Sequence, residues 1–193
     1  MSLGASLSFA IIWIGWLVSW MAAASWSGRT EKRVVTASVG VYRAAIVAGA
    51  ILLTAAQLTT QKHIWNVGEA GVYALAGFTL AGIVFAWWAR IHLGRLWSSA
   101  ITRKQDHRVV DTGPYALVRH PIYAGLIAAI LATAAADGTA TALAGAALVT
   151  FALWLKARTE ERFLMAELGA DVYGAYCRRV PMLVPLLRPR DAR

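Results

Sequence analysis

The chain has 193 residues, 59% of them hydrophobic and 15% charged, with mean hydropathy +0.55 and a net charge of +9. Soluble domains carry about 25% charged residues, and the apolar residues here come in blocks of about 20, the length that crosses a bilayer core as a helix. A single small water-soluble core does not bury that many such blocks, so the composition excludes an ordinary soluble domain.

The first block covers residues 3–24. It has no basic leader and is long for a signal-peptide core, so it reads as an anchor that stays. A short polar segment with Arg29, Lys32 and Arg33 follows, then a second span over 39–60 with Arg43 near its start. The next connection carries only Lys62, and a third span covers 70–89.

Residues 95–119 form a polar segment without a strong apolar period, yet they hold Trp97, Val109, Val110 and Tyr115. Loops this long in a compact protein are usually functional or disordered, and this composition is not that of a disordered segment. Asp106-His107-Arg108-Val109-Val110-Asp111-Thr112-Gly113-Pro114-Tyr115 gathers titratable, aromatic and turn-forming side chains. Val118-Arg119-His120-Pro121-Ile122-Tyr123 then opens a fourth span over 120–136, with Pro121 in the first turn, where its missing N–H costs nothing. His120 and Tyr123 are three apart and share a helix face. Interface anchoring and ligand binding are both open for Arg119, His120 and Tyr123.

Asp137-Gly138 is a minimal link to a fifth span over 139–155, so spans four and five form a helical hairpin. Their alanines and glycines suit close backbone packing. Thr159 then reads as the cap of a separate helix, with Glu160 and Glu161 in a first turn that favours negative charge. The alternative reading turns one of these carboxylates toward a cationic ligand. The stretch to Tyr173-Gly174-Ala175-Tyr176 reads as an amphipathic helix lying on the membrane.

Eighteen of the nineteen Lys and Arg residues fall on one side of five spans. The positive-inside rule makes that side cytoplasmic and puts the N-terminus outside. The fold expected is an all-α polytopic membrane protein with five transmembrane helices and a cytoplasmic C-terminal amphipathic helix. It forms one domain: three spans over 1–93, the polar motif region over 94–185 and a basic tail over 186–193. The positive charge follows from this topology and from attraction to anionic lipid headgroups, and no basic helix interleaved with aromatics suggests nucleic acid. His63, His92, His107 and His120 have no ligand-like spacing, with one another or with Cys177, so no metal site is expected. Neither a Walker nor a Rossmann glycine signature is present.

The run from Asp106-His107 through Gly113-Pro114-Tyr115 to Arg119-His120-Pro121-Ile122-Tyr123-Ala124-Gly125 resembles the signature of the isoprenylcysteine carboxyl methyltransferase family. Glu160-Glu161, Leu164, Gly169, Tyr173, Tyr176 and Val180-Pro181 are similar to its C-terminal signature. The resemblance covers residues 94–185. It implies an integral membrane methyltransferase that uses S-adenosylmethionine. It assigns cofactor binding to His107, Arg108, Val109, Val110, Tyr115, His120, Pro121, Ile122, Tyr123 and Glu160. It also implies a basic residue about one turn before the glutamate to orient a substrate carboxylate; Lys156 stands at that place and Arg158 nearby.

These residue types suit that cofactor independently. A glutamate takes an ammonium through a charge-assisted hydrogen bond, tyrosine faces attract a sulfonium, and Val109, Val110 and Ile122 are apolar enough to enclose adenine. A carboxylate acceptor is already ionised at neutral pH and needs a cation to orient it rather than a base. The function expected is methyl transfer to a lipophilic acceptor, such as a prenylcysteine-like carboxylate. The alternative is an NADPH-dependent membrane reductase of the sterol-reductase type, which shares the Arg-His-Pro helix start. Those enzymes usually have Asn where Ile122 stands and an acidic residue where Leu126 stands. A non-catalytic membrane scaffold is the third reading.

Overall fold

The computed structural model describes residues 3–26, 30–33, 37–59, 61–97, 102–104 and 109–185. Five long helices form its body: α1 (Leu3–Ala22), α2 (Ala37–Leu58), α3 (Gly68–Leu93), α4 (Pro121–Asp137) and α5 (Ala140–Leu168). Four of them are long and apolar enough to cross a membrane, and α4 is a shorter apolar helix of 17 residues. A short helix α6 (Val172–Arg179) closes the described chain.

The expected spans fall on these helices, with three differences of detail. The connections are not wholly irregular. Strand β1 (Thr30–Arg33) pairs antiparallel with β2 (Thr102–Lys104), joining the α1–α2 link to the α3–α4 link. On the opposite side His63 bridges Thr139, and Ile64 N–H donates to Gly138 O at 2.7 Å. These two tethers place alternate helix ends on opposite sides of the bundle, as five successive crossings require.

Secondly, the small residues of α4 and α5 do not chiefly serve their own hairpin. A Cβ on Gly82 of α3 would meet Gly125 O of α4 at 2.6 Å, and one on Gly49 of α2 would meet Gly145 O of α5 at 2.8 Å. Backbones this close exclude side chains, so α3 sits on α4 and α2 on α5. Close approach of this kind replaces the hydrophobic drive that lipid cannot supply. The hairpin itself turns on Gly138 (φ +71°), while Thr139 Oγ1 caps α5 by accepting from Ala142 N–H at 3.2 Å.

The third difference is that no helix starts at Thr159. Thr159 lies inside α5, and its hydroxyl donates back to Leu155 O at 2.8 Å. Helix α5 therefore runs unbroken from the bundle into the polar region. A threonine can bond the carbonyl four residues earlier as readily as it caps, and the apolar residues Leu155, Phe163 and Leu164 continue the packed face.

Candidate active site

The polar region is assembled where α4 begins and α5 projects beyond the bundle. A 3-10 turn over Gly113–Ala116 leads into it. Gly113 has φ +57°, and a Cβ there would meet the His92 ring at 2.7 Å, so the turn presses on the end of α3. His92 also lies 2.9 Å from Thr112 Oγ1 and stacks on Tyr115 at 6.3 Å. This packing holds Tyr115, which is buried, toward α4.

His120 occupies the N-cap position of α4, and Tyr123 follows one turn in. Their rings stack at 5.5 Å with only 4° between planes. Tyr123 Oη donates to Glu160 Oε1 at 2.6 Å, and His120 Nδ1 lies 3.5 Å from Glu160 Oε2. The other imidazole nitrogen is 3.3 Å from Glu161 Oε1, too poorly aligned to count as a hydrogen bond. Burial by itself lowers the His120 pKa, but the two carboxylates outweigh it and raise the value above the ordinary one. The imidazole is thus biased toward its cationic form between two anions.

Glu161 serves a different partner. It accepts from Arg119 Nε at 2.6 Å, while Arg119 Nη1 donates to Cys177 O at 2.9 Å and Val180 O at 2.6 Å. The backbone N–H groups of Arg119 and His120 donate to Pro181 O and Met182 O at 2.8 and 3.1 Å. Tyr176 Oη donates to Tyr115 O at 2.7 Å, and burial pushes the phenols of Tyr115 and Tyr176 up. The C-terminal segment is therefore latched across the start of α4, with α6 as part of the wall.

These groups face a cavity of about 1050 Å³. Glu160, Tyr123, His120, Pro121, Ile122, Tyr115, Val109, Val110 and Lys156 all line it. Lys156 Nζ lies 5.0 Å from the Tyr123 ring centroid and 6.0 Å from that of Tyr42. Arg158 does not join them. It is exposed and lies over the Trp154 ring at 5.7 Å, on the outer face of α5. Two positions along a helix carry side chains about 200° apart, so Lys156 and Arg158 cannot both face the cavity. His107 and Arg108 lie outside the described residues. Among the described residues no group of His, Cys, Asp and Glu is placed to hold a metal ion.

Several site residues were not singled out by sequence. Trp20 of α1 and Trp97 line the cavity beside Tyr115. Behind them Arg90 is fully buried, its guanidinium 3.4 Å from the Trp97 ring centroid and its Nη2 donating to Ala23 O at 2.6 Å. Sequence reading treats Arg90 as one more cytoplasmic charge; its position inside an aromatic cluster depends on tertiary packing alone. Tyr42, buried against α5, is likewise invisible to motif reading.

Comparison with known proteins bears on this geometry. Residues 75–166 match the model of the isoprenylcysteine carboxyl methyltransferase (ICMT) family. That segment belongs to the isoprenylcysteine carboxyl methyltransferase family. It starts inside α3 and ends near the end of α5, so the family match includes the His120–Tyr123–Glu160 constellation and stops before α6. The chain is 37% identical over 98 residues to the cobalt-zinc-cadmium resistance protein CzcN of Cupriavidus metallidurans (49% of this chain, 44% of that protein). It is 47% identical over 78 residues to methanethiol S-methyltransferase 2 of Bradyrhizobium diazoefficiens (39% and 28%). It is 32% identical over 117 residues to protein-S-isoprenylcysteine O-methyltransferase of Schizosaccharomyces pombe (58% and 48%). The chain thus spans less than half the length of each of these relatives.

Proposed function

We propose that the chain is an S-adenosylmethionine-dependent methyltransferase acting on a lipophilic acceptor drawn from the bilayer. The observation that carries this reading is the Glu160–Tyr123–His120 cluster at the polar end of one continuous apolar cavity. The cavity volume lies at the upper end of ordinary small-molecule pockets and is large enough for a nucleoside cofactor together with part of an acceptor. The donor set also fits: one half-buried carboxylate for an ammonium, tyrosine faces for a sulfonium, and apolar Val109, Val110 and Ile122 for adenine.

S-adenosylmethionine supplies, when bound, an electrophilic methyl group on a positively charged sulfur. This chain's residues position and shield it. Glu160 accepts from the ammonium, oriented by Tyr123 Oη and His120. Tyr115 and Tyr123 present ring faces to positive charge, an attraction of about 0.5–2 kcal/mol. Lys156, one turn below Glu160 on the same face, orients the acceptor's anionic oxygen. Methyl transfer is an in-line displacement, so proximity and exclusion of water supply most of the rate. Arg119, held by Glu161, fastens the 180–182 segment beside that end of the cavity. Neither His120 nor Glu160 is needed as a base for a carboxylate.

The preferred acceptor is a lipophilic carboxylate of the prenylcysteine type, because Lys156 offers a half-buried cation where such a group would arrive. In this reading the 94–185 region carries the chemistry, faces the cytoplasm beside anionic headgroups, and leaves the N-terminus outside. The test is calorimetric titration of the detergent-solubilised protein with S-adenosylhomocysteine and with NADPH. Labelled-methyl transfer to a lipophilic carboxylate and to an alkyl thiol is then measured. Binding of the first ligand alone, with transfer to the carboxylate, is expected. NADPH binding would move the chain to the reductase reading, binding of neither to a scaffold, and transfer to the thiol alone would replace the acceptor.

A further inference from the structure

The cavity extends far beyond the polar cluster, along one face each of α1, α2, α4 and α5, to Ser6 and Gln57 near the opposite side of the bundle. Part-way along stands Trp13 of α1. Its Nε1 donates to Thr133 Oγ1 on α4 at 3.1 Å, tying one wall of the cavity to another, and its ring meets Trp16 edge-on at 5.6 Å. Thr133 is itself fixed, donating to Ala129 O at 2.8 Å. Ile14 and Leu17 line the same cavity yet are 61% and 53% exposed, so the cavity opens sideways along α1. A hydrocarbon chain therefore reaches the cavity from the bilayer without crossing water.

We infer that Trp13, pinned by Thr133, is a specificity-determining residue that limits the length of the hydrocarbon chain on the methyl acceptor. This rests on the reading that the cavity holds a lipophilic acceptor with its reacting end at Tyr123 and Lys156. From Tyr123 to Thr133 the helix advances about 15 Å at about 1.5 Å per residue. A carbon–carbon bond of about 1.5 Å advances an extended chain by about 1.3 Å per atom, so about 12 chain carbons reach the Trp13 ring. Beyond it the cavity continues along α1 back to Ser6 for about 10 Å, room for about 8 more carbons for a chain that the indole no longer obstructs.

The test is length selection by the purified full-length protein in detergent, without donor. It is equilibrated with a mixture of saturated fatty acids of about 8 to about 20 carbons, and the retained chains are read by native mass spectrometry. The wild type is expected to retain chains up to about 12 carbons and Trp13→Ala to extend the limit by about 6–8 carbons. Thr133→Val keeps the side-chain shape but gives Nε1 no acceptor, so it should blur the limit; it also carries the test if Trp13→Ala does not fold. A limit identical in all three proteins, or no limit in the wild type, overturns the inference. A length limit that moves as expected, in a protein that transfers no methyl group, leaves the role of Trp13 standing and sinks the methyltransferase reading. Methyl transfer with an unmoved limit does the reverse.

Discussion

Replacing Glu160 with Gln keeps the side-chain shape and removes its charge. In the native site the carboxylate accepts from Tyr123 Oη at 2.6 Å and lies 3.5 Å from His120 Nδ1, at the mouth of the cavity. A hydrogen bond to a charged group is worth about 1.5–3 kcal/mol, roughly twice a neutral one. Gln keeps a neutral hydrogen bond of about half that worth, so losing the charge costs about 0.75–1.5 kcal/mol; at about 1.4 kcal/mol per tenfold, S-adenosylhomocysteine binding should weaken by about 3-fold to about 12-fold. Isothermal titration in detergent measures this, with the melting temperature as the check on folding. Glu161→Gln is the control. Its carboxylate is engaged by Arg119 rather than aimed at the ligand, so it should lower the melting temperature more than it alters affinity. Glu160→Gln protein that melts normally and binds within about twofold of the wild type would remove Glu160 from the cofactor site. Equal losses in both variants would mean that the latch, not the carboxylate, sets affinity.

Lys156→Met should abolish most turnover while leaving S-adenosylhomocysteine affinity within about threefold, because its proposed role is to orient the acceptor rather than to hold the donor. Arg158→Ala, on the outer face of α5, should change neither by more than about twofold; the opposite ranking in a methyl-transfer assay would exchange their roles. His120 has a raised folded-state pKa. Its ion-pair contribution is therefore complete below the unfolded value of about 6.5 and is lost as pH rises through the folded value. Melting curves from acidic to alkaline pH should show the wild type losing its advantage over His120→Asn on the alkaline side, and parallel curves would contradict this. Gly125→Ala forces a methyl group against the α3 backbone at Gly82. It should destabilise the bundle by about 1–3 kcal/mol, read as a lower melting temperature; an unchanged value would show that α3 and α4 can separate freely.

The spans were legible in the sequence because lipid enforces one rule: a helix must be apolar for about 20 residues. The grouping of His120, Tyr123 and Glu160 was legible through the family resemblance; by residue type alone, interface anchoring and helix capping stayed open. Partner choice among the helices was not legible. The small residues around Gly125 and Gly145 announce close packing, but only three dimensions pair Gly125 with Gly82 and Gly145 with Gly49. The β1–β2 ribbon was missed for another reason. Its strands are only four and three residues long, polar, and far apart in the chain, so no local alternation marks them. Arg90 shows the same limit: its sequence neighbours suggest an interfacial charge, and the aromatic enclosure by Trp20 and Trp97 comes from other elements.

The unbroken course of α5 matters most for the chemistry. A break at Thr159 would have let the segment bearing Glu160 move independently of the membrane-embedded part bearing Lys156. As one rigid helix, α5 fixes the two groups about one turn apart, about 5.4 Å along the axis, and both line the same cavity. In the proposed function, the distance between the carboxylate that would anchor the cofactor's ammonium and the cation that would orient the acceptor is then set by helix geometry rather than by loop closure. Preorganisation of this kind suits an in-line displacement, whose rate depends steeply on the separation and alignment of donor and acceptor. Thr159 does not interrupt the course of α5, because its hydroxyl is satisfied inside the helix by Leu155 O and is buried against the bundle.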